Sequence, residues 1–149
     1  MARKKNALRL HEIAPWSSSD TAAPTTGFLA LAEFITTVND NSEEKTETFA
    51  DYAGDGNEID YLVGRAEKWD FEGTWNPTNP AQKLIAEKKR SQNDDDRKVW
   101  FRITENDGTV VLGVAKALNI VAGSGDAAAY EDFKCSLIYA ETPTITPGA

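Results

Sequence analysis

The chain has 149 residues, enough for a single domain with a sizeable core. Hydrophobic residues make up 40% and charged residues 27%, an ordinary soluble globular composition, and no apolar run is long enough to cross a bilayer. The net charge of −8 argues against general binding to nucleic acid through a basic surface.

That charge is unevenly placed. Arg3, Lys4, Lys5 and Arg9 are four of the sixteen positive residues, so the remainder carries about −12. Between Asp40 and Asp60 the acids Asp40, Glu43, Glu44, Glu47, Asp51, Asp55, Glu58 and Asp60 face Lys45 alone. The chain therefore has a basic tip and a separate acidic stretch. The tip is followed by no apolar h-region, so no signal peptide is expected.

Residues 1–27 read as an arm, because "SSSDTAAPTTG" lacks periodicity. From Phe28 an apolar stretch ends in the Phe34-Thr36-Val38 alternation of a strand. "NDNSEE" is a polar turn, "KTETFADYA" a weaker strand and "GDGNE" another turn. Residues 59–75 form a long strand with Trp69, Phe71, Gly73 and Trp75 on one face and Lys68, Asp70, Glu72 and Thr74 on the other. Gly64 and Gly73 are natural places for it to bulge or bend.

Residues 79–90 read as the one helix. Thr78 or Asn79 caps it, and Pro80 occupies the first turn, where its missing N–H costs nothing. Ala81, Leu84, Ile85 and Lys88 form its inward stripe, and Lys88, Lys89 and Arg90 suit its C-terminal dipole. A helix this short needs a surface to pack on.

After the "SQNDDD" loop, "KVWFRITE" turns Val99, Phe101 and Ile103 to one side, and "NDGT" makes a hairpin with Gly108 free for positive φ. The returning strand reads with Val110, Leu112, Val114, Leu118 and Ile120 in register. "YEDFKCSLIYA" closes a three-stranded meander with Phe133, Cys135, Leu137 and Tyr139 inward. The Pro-rich tail from 141 to 149 reads as an extended arm. The expected fold is mainly β: an antiparallel β-sandwich of two sheets over residues 28–140, flanked by the helix, with N- and C-terminal arms.

Chemistry finds little purchase. His11 is the sole histidine and lies in the arm, and Asp70 with Glu72 reads as a solvated strand face, so no catalytic residue is assigned. "DYAGDGNEID" and "NDDDR" miss the spacing of a calcium loop, and no Cys/His cluster exists, so no metal or cofactor is expected. Cys135 reads as a buried thiol, which suits a reducing cytoplasm. Trp100 points away from the Val99–Phe101 face, and either an interface or a second buried layer accounts for it.

The succession "WDFEGTWNPTNPAQKLIAEKKR", "VWFRITENDGTVVLGVAKALNI" and "GSGDAAAYEDFKCSLIYAETPTIT" is similar to a major tail tube protein of long-tailed bacteriophages, over roughly residues 28 to 145. The shared pattern is a long strand, a helix opening Asn-Pro-Ala-Gln, a hairpin with Gly113 in its second strand, a Gly/Asp turn and a last strand ending near a Pro. "GSGD" only approximates that turn.

The resemblance implies a non-enzymatic virion subunit, made in the host cytoplasm and placed in the tail. It implies hexameric rings stacked around a channel through which genomic DNA passes without adhering, with a tape measure, initiator and terminator as further partners and no membrane. The bacterial type VI secretion tube has a similar fold. Asp70 and Glu72 are then lumen candidates. Asp40, Glu43, Glu44, Glu47, Asp51 and Asp55 are candidates for inter-ring contact from a loop, and Arg3, Lys4 and Lys5 from an arm. A carbohydrate-binding module, a tail terminator and a decoration protein are the alternative readings.

Overall fold

The computed structural model describes residues 3–54 and 56–148. In chain order its strands are β1 (Leu10–Pro15), β2 (Leu29–Ala30), β3 (Ile35–Asp40), β4 (Glu43–Phe49), β5 (Ile59–Ala66) and β6 (Lys68–Thr74). Helix α1 (Pro80–Ala86) follows, then β7 (Lys98–Thr104), β8 (Val110–Ala122), β9 (Asp132–Tyr139) and β10 (Thr144–Thr146).

The fold is mainly β and antiparallel, with two sheets and one α-helix among the described residues, as the sequence indicates. The sheets are very unequal. Among the described residues, eight strands form a half-barrel in the order β2-β1-β7-β8-β9-β6-β3, with β10 added to β8, and β4 and β5 form a separate ribbon.

The half-barrel encloses the core. Phe71, Phe101, Phe133, Ile13, Ile103 and Leu137 are fully buried, and they come from strands spread around the curl. Phe71 meets Phe101 edge-on with ring centroids 6.0 Å apart, so β6 and β7 face each other across the interior. Tyr139 stacks on Phe101 and donates its hydroxyl to the Phe101 carbonyl at 3.1 Å, which satisfies the one polar atom that this ring carries inward.

Helix α1 closes this core against β8, β1 and β2. Asn79 Oδ1 accepts from the amides of Ala81 and Gln82, and Pro80 opens the helix. Ala81 and Ile85 are fully buried, as expected, and so is Gln82. The Gln82 amide bonds the Asn76 N–H and the Thr74 carbonyl, pinning the helix to the end of β6. The α-helix ends at Ala86, short of residue 90, and a tighter turn follows in which Lys88 N–H donates to the Ile85 carbonyl.

Three sequence expectations need correction. First, part of the expected N-terminal arm is core: β1 pairs with β7 from Leu10–Thr104 to Pro15–Val99, and Ile13 and Ala14 are buried. His, Glu and Pro inside "LHEIAP" mask its alternation. The chain after β1 also packs back: Lys98 lies over Trp16, Arg102 over Phe28, and Trp100 Nε1 donates to Asp20 at 2.9 Å. Trp100 thus belongs to a second layer.

Second, the first part of β8, up to Ala117, turns the opposite face inward, and after a register shift between Leu118 and Val121 the strand packs Ile120 and Ala122 on the core. Val111, Ala115 and Ala117 are buried, while Val110, Leu112 and Val114 are half-covered on the other side. Small residues fit there because Phe101 and Tyr139 fill the interior beside them. Third, residues 59–75 are two strands, broken at Glu67, which belong to different sheets. A register shift does lie beside Gly64, and Gly73 sits where a Cβ would strike the Phe34 carbonyl.

His11 is buried in this core, with Phe71 edge-on at 5.2 Å and Trp69 tilted at 5.7 Å. Arg9 Nε donates to its Nε2 at 3.1 Å. Burial and then the Arg9 charge push the imidazole down from 6.5 to about 4. A depressed folded value means that stability is fully present above the unfolded value and is lost as pH falls toward the folded one. Between pH 7 and pH 4 this group alone removes about 3 kcal/mol. The measured loss in urea unfolding over that range is expected to be smaller by about this amount in His11→Gln.

Candidate assembly surfaces

The ribbon β4–β5 is the most unusual feature of the molecule. Every residue of both strands is exposed. Phe49 pairs with Ile59 and Glu47 with Tyr61, so Phe49, Ile59 and Tyr61 share one face. Phe49 packs edge-on to Tyr61, whose hydroxyl donates to Glu47, yet all three apolar residues remain nearly half exposed. Tyr52 at the tip is fully exposed. A two-stranded ribbon is marginal by itself in water, and a stripe of large apolar side chains is left exposed on this one.

The acids expected to make contacts are on or beside this ribbon. Glu43, Glu44 and Glu47 lie on β4, Asp40 ends β3, and Asp51 is in the turn. Asp55 lies outside the described residues. What reads as a weak strand and a loop is therefore a projecting ribbon carrying these carboxylates.

Its base is clamped on two sides. Arg65 reaches Glu67 at 2.9 Å, Glu44 at 3.7 Å and Asp40 at 4.0 Å. Glu67 also accepts from Trp69 Nε1 at 2.9 Å, tying the cluster to the core. Asn41 N–H donates to the Lys68 carbonyl, and Lys68 N–H donates to Ser42 Oγ. Asp70 accepts from Ser136 Oγ on β9 and from the Asn41 amide. Burial pushes the Asp70 carboxyl up, but those two hydrogen bonds and the Lys68 charge outweigh it and hold it below the usual carboxylate range.

The two lumen candidates thus differ in role. Asp70 is spent on internal hydrogen bonds. Glu72 is exposed, with Thr37 and Lys134 as its register neighbours on β3 and β9. Both belong to the outer face of β3, β6 and β9, whereas the outer face of β1 and β7 is overlaid by Trp16, Asp20 and Phe28.

The basic tip lies at the same end of the half-barrel as the ribbon base. Lys4 Nζ donates to the Asn106 carbonyl at 2.8 Å, and Asn106 in the β7–β8 turn donates to the Lys5 carbonyl. Arg9 stacks 5.1 Å over Trp69, one residue into β6. Arg3 is exposed. The tip and the acids are separate in sequence and share one pole in space.

Sequence reasoning missed Arg65, Asn41, Ser42 and Ser136, and the apolar stripe on the ribbon. Phe49 with Ile59 and Tyr61, alternating amid acids, was a readable signal for a ribbon without a core. Nothing in the sequence placed Ser136 beside Asp70.

No protein-family model matches the chain, and no curated protein matches it. Solved structures do. It superposes on a subunit of the tail of an empty gene transfer agent particle refined with C6 symmetry, with TM-score 0.66 and 13% identity, covering 99% of this chain and 100% of that one. A chain of the PVC sheath-tube complex of an extracellular contractile injection system matches with TM-score 0.59 and 11% identity, covering 96% and 90%. A chain of the sheath/tube terminator of that system matches with TM-score 0.57 and 13% identity, covering 98% of each. The chain shares its fold with proteins of tails and injection-system tubes.

Exposed ion pairs contribute little to global stability, about 0–1 kcal/mol. Arg65→Gln is therefore expected to leave the melting temperature within a few degrees of wild type, by roughly the ratio of that energy to the unfolding entropy. Amide exchange in residues 43–66 is expected to speed up while that of β7 and β9 stays unchanged, which hydrogen-exchange mass spectrometry reads directly.

Proposed function

We propose that this chain is a non-enzymatic structural subunit that polymerises, as stacked hexameric rings, into a tail tube of a virion. The observation that carries the reading is the ribbon: an exposed apolar stripe on a clamped projection, in a fold shared with a C6-symmetric tail. On this reading a second copy covers the projection. The contact is heterologous, so it closes into rings or extends into fibres.

In the tube, the outer face of β3, β6 and β9 lines the channel, with Glu72 displayed and Asp70 as its anchor. Genomic DNA passes during ejection, and carboxylates on the wall keep it mobile because phosphate contacts from Lys and Arg add affinity through counterion release. Ring-to-ring contact uses Asp40, Glu43, Glu44, Glu47, Asp51 and Asp55, met by Arg3, Lys4 and Lys5 of another copy. The ribbon is roughly 25 Å long, which carries its acids away from their own basic tip toward a neighbour. The subunit is made in the host cytoplasm and joins a tape measure, an initiator and a terminator.

A terminator is the second reading, favoured by the likeness to an injection-system terminator. It stops at one ring. A carbohydrate module is disfavoured because Trp100 is half-buried and its indole N–H is bonded to Asp20.

Negative-stain microscopy of concentrated protein separates these. Hollow fibres are expected from a tube subunit and single rings from a terminator, and particles that stay monomeric at every concentration in the presence of a tail initiator complex overturn both. Reversing Glu43, Glu44 and Glu47 to Lys is expected to abolish fibres while the circular dichroism of the monomer is unchanged. Normal fibres from that triple variant remove the acids from the contact.

A further inference from the structure

The basic tip is fastened to the half-barrel by side chains. Lys4 Nζ and the Lys5 carbonyl bond Asn106 in the β7–β8 turn, and pairing of β1 with β7 begins at Leu10. The third fastening is Arg9. Its Nη1 reaches Asn6 Oδ1 at 3.5 Å, its guanidinium lies 5.1 Å over Trp69, and its Nε donates to His11 Nε2 at 3.1 Å. One side chain thus joins the tip to the core, and its partner there is the sole histidine of the chain.

That bond carries a chemical condition. An imidazole nitrogen accepts only when it holds no proton, so Nε2 is bare and the ring proton sits on Nδ1. A proton added at Nε2 turns the acceptor into a donor facing the Arg9 donor, and it sets two positive charges in contact. We propose that Arg9 and His11 form a proton-operated latch: protonation of the imidazole expels the guanidinium from Nε2 and frees residues 3–9 from the half-barrel. The device belongs to the single subunit and stands apart from the reading that the chain polymerises.

The elements around His11 supply no charge to offset that proton. β7 places Ile103 opposite it, while Glu12 and Arg102 pair with each other on the outer face. β6 supplies the Trp69 and Phe71 rings and turns Lys68 and Asp70 to its other face. Helix α1 contributes Ala81 and Ile85 to this core. Leu31, Ala32 and residues 35–39, which line the groove beside the imidazole, are uncharged.

Carboxylates do face Arg9. Glu105 and Asp107 line, with Arg9 and Trp69, a hollow of about 330 Å³, and Glu67, bonded to the Trp69 indole, is paired with Arg65. The guanidinium therefore has two stations, the neutral imidazole and the two carboxylates of the β7–β8 turn, as a bistable element requires. Release exposes no core, because residues 3–8 are already exposed and β1 keeps its pairing. Burial, and after it the Arg9 charge, hold the imidazole at about 4 against 6.5. The latch is therefore closed above 6.5 and yields as pH falls toward 4.

Electron paramagnetic resonance reads the tip through a nitroxide on Leu8→Cys, an exposed position, and the native Cys135 is buried. A second label on Lys134→Cys, exposed on β9, reports the half-barrel. From pH 7 to pH 4 the mobile component of the Leu8 label is expected to grow about three-fold while the Lys134 label stays unchanged. In His11→Gln, whose amide oxygen accepts from Arg9 and takes no proton, that growth is expected to vanish, although Glu105 and Asp107 titrate there as in wild type. The single imidazole gives one NMR signal, whose midpoint is expected to coincide with that of the label and to move up in Arg9→Gln.

Equal growth in wild type and His11→Gln overturns the latch, as does a proton on Nε2 at pH 7 in the nitrogen-15 spectrum or a Leu8 label that stays held while the imidazole titrates. If acid mobilises both labels in wild type, Arg9→Gln decides at pH 7. A mobile Leu8 label beside an unchanged Lys134 label supports the latch, and a held Leu8 label overturns it. Fibre formation is read separately by microscopy, so none of these outcomes bears on polymerisation.

Discussion

Backbone N–H and C=O groups at a strand margin must find partners, and a sheet that curls without closing leaves two such margins. Here they are β2, two residues long, and β3, six residues long. Closure into a barrel would remove both. Helix α1 and the chain around Leu31 pack beside this opening, with Gln82 bonded to the end of β6 and Leu31 N–H bonded to the His11 carbonyl.

The clamp below the ribbon follows from that margin. β3–β4 and β5–β6 are one long hairpin whose lower half belongs to the core and whose upper half lies in water. At the junction Glu67 accepts from the Trp69 indole and faces Arg65, so the change from core to solvent is marked by a charged pair fastened to a buried ring. Asp70 does the same from the outer face through Ser136 and Asn41. Without these ties the ribbon would be a two-stranded hairpin with no third layer, which water disorders. With them its direction is set before any partner arrives, which lowers the ordering cost of association.

Much of this was legible where periodicity was strong and burial one-sided. Val99, Phe101 and Ile103 on β7 announce their face, and Asn79-Pro80 announces the start of the helix. The fold class followed from those segments, and the resemblance to tail tube proteins pointed to the same fold. Legibility failed where the environment was two-sided. β8 carries large aliphatics outward and alanines inward, because the volume of the interior is set by Phe101 and Tyr139 from the neighbouring strands. β1 carries His11 and Glu12 for partners that are distant in sequence, Trp69 and Arg102. The acidic run was visible as composition, but its shape as a ribbon depends on the break at Glu67, which a continuous alternation through residues 59–75 conceals.

The placement of charge changes what the acids are for. Were basic tip and acidic run at opposite poles, attraction between successive subunits would follow from net charge alone. They start from one pole, with Lys4 bonded at the β7–β8 turn and Arg9 over Trp69. Intramolecular attraction would then draw the ribbon back onto its own tip, an unproductive closed form. Arg65 counters this by pairing with carboxylates at the base, Asp40, Glu44 and Glu67, and leaves Glu47, Glu58 and Asp60 farther along to act at a distance. At physiological salt the screening length is about 8 Å, well under the roughly 25 Å of the ribbon, so those outer acids respond to whatever lies beside them and not to their own tip. Geometry, more than net charge, decides that the ribbon looks outward.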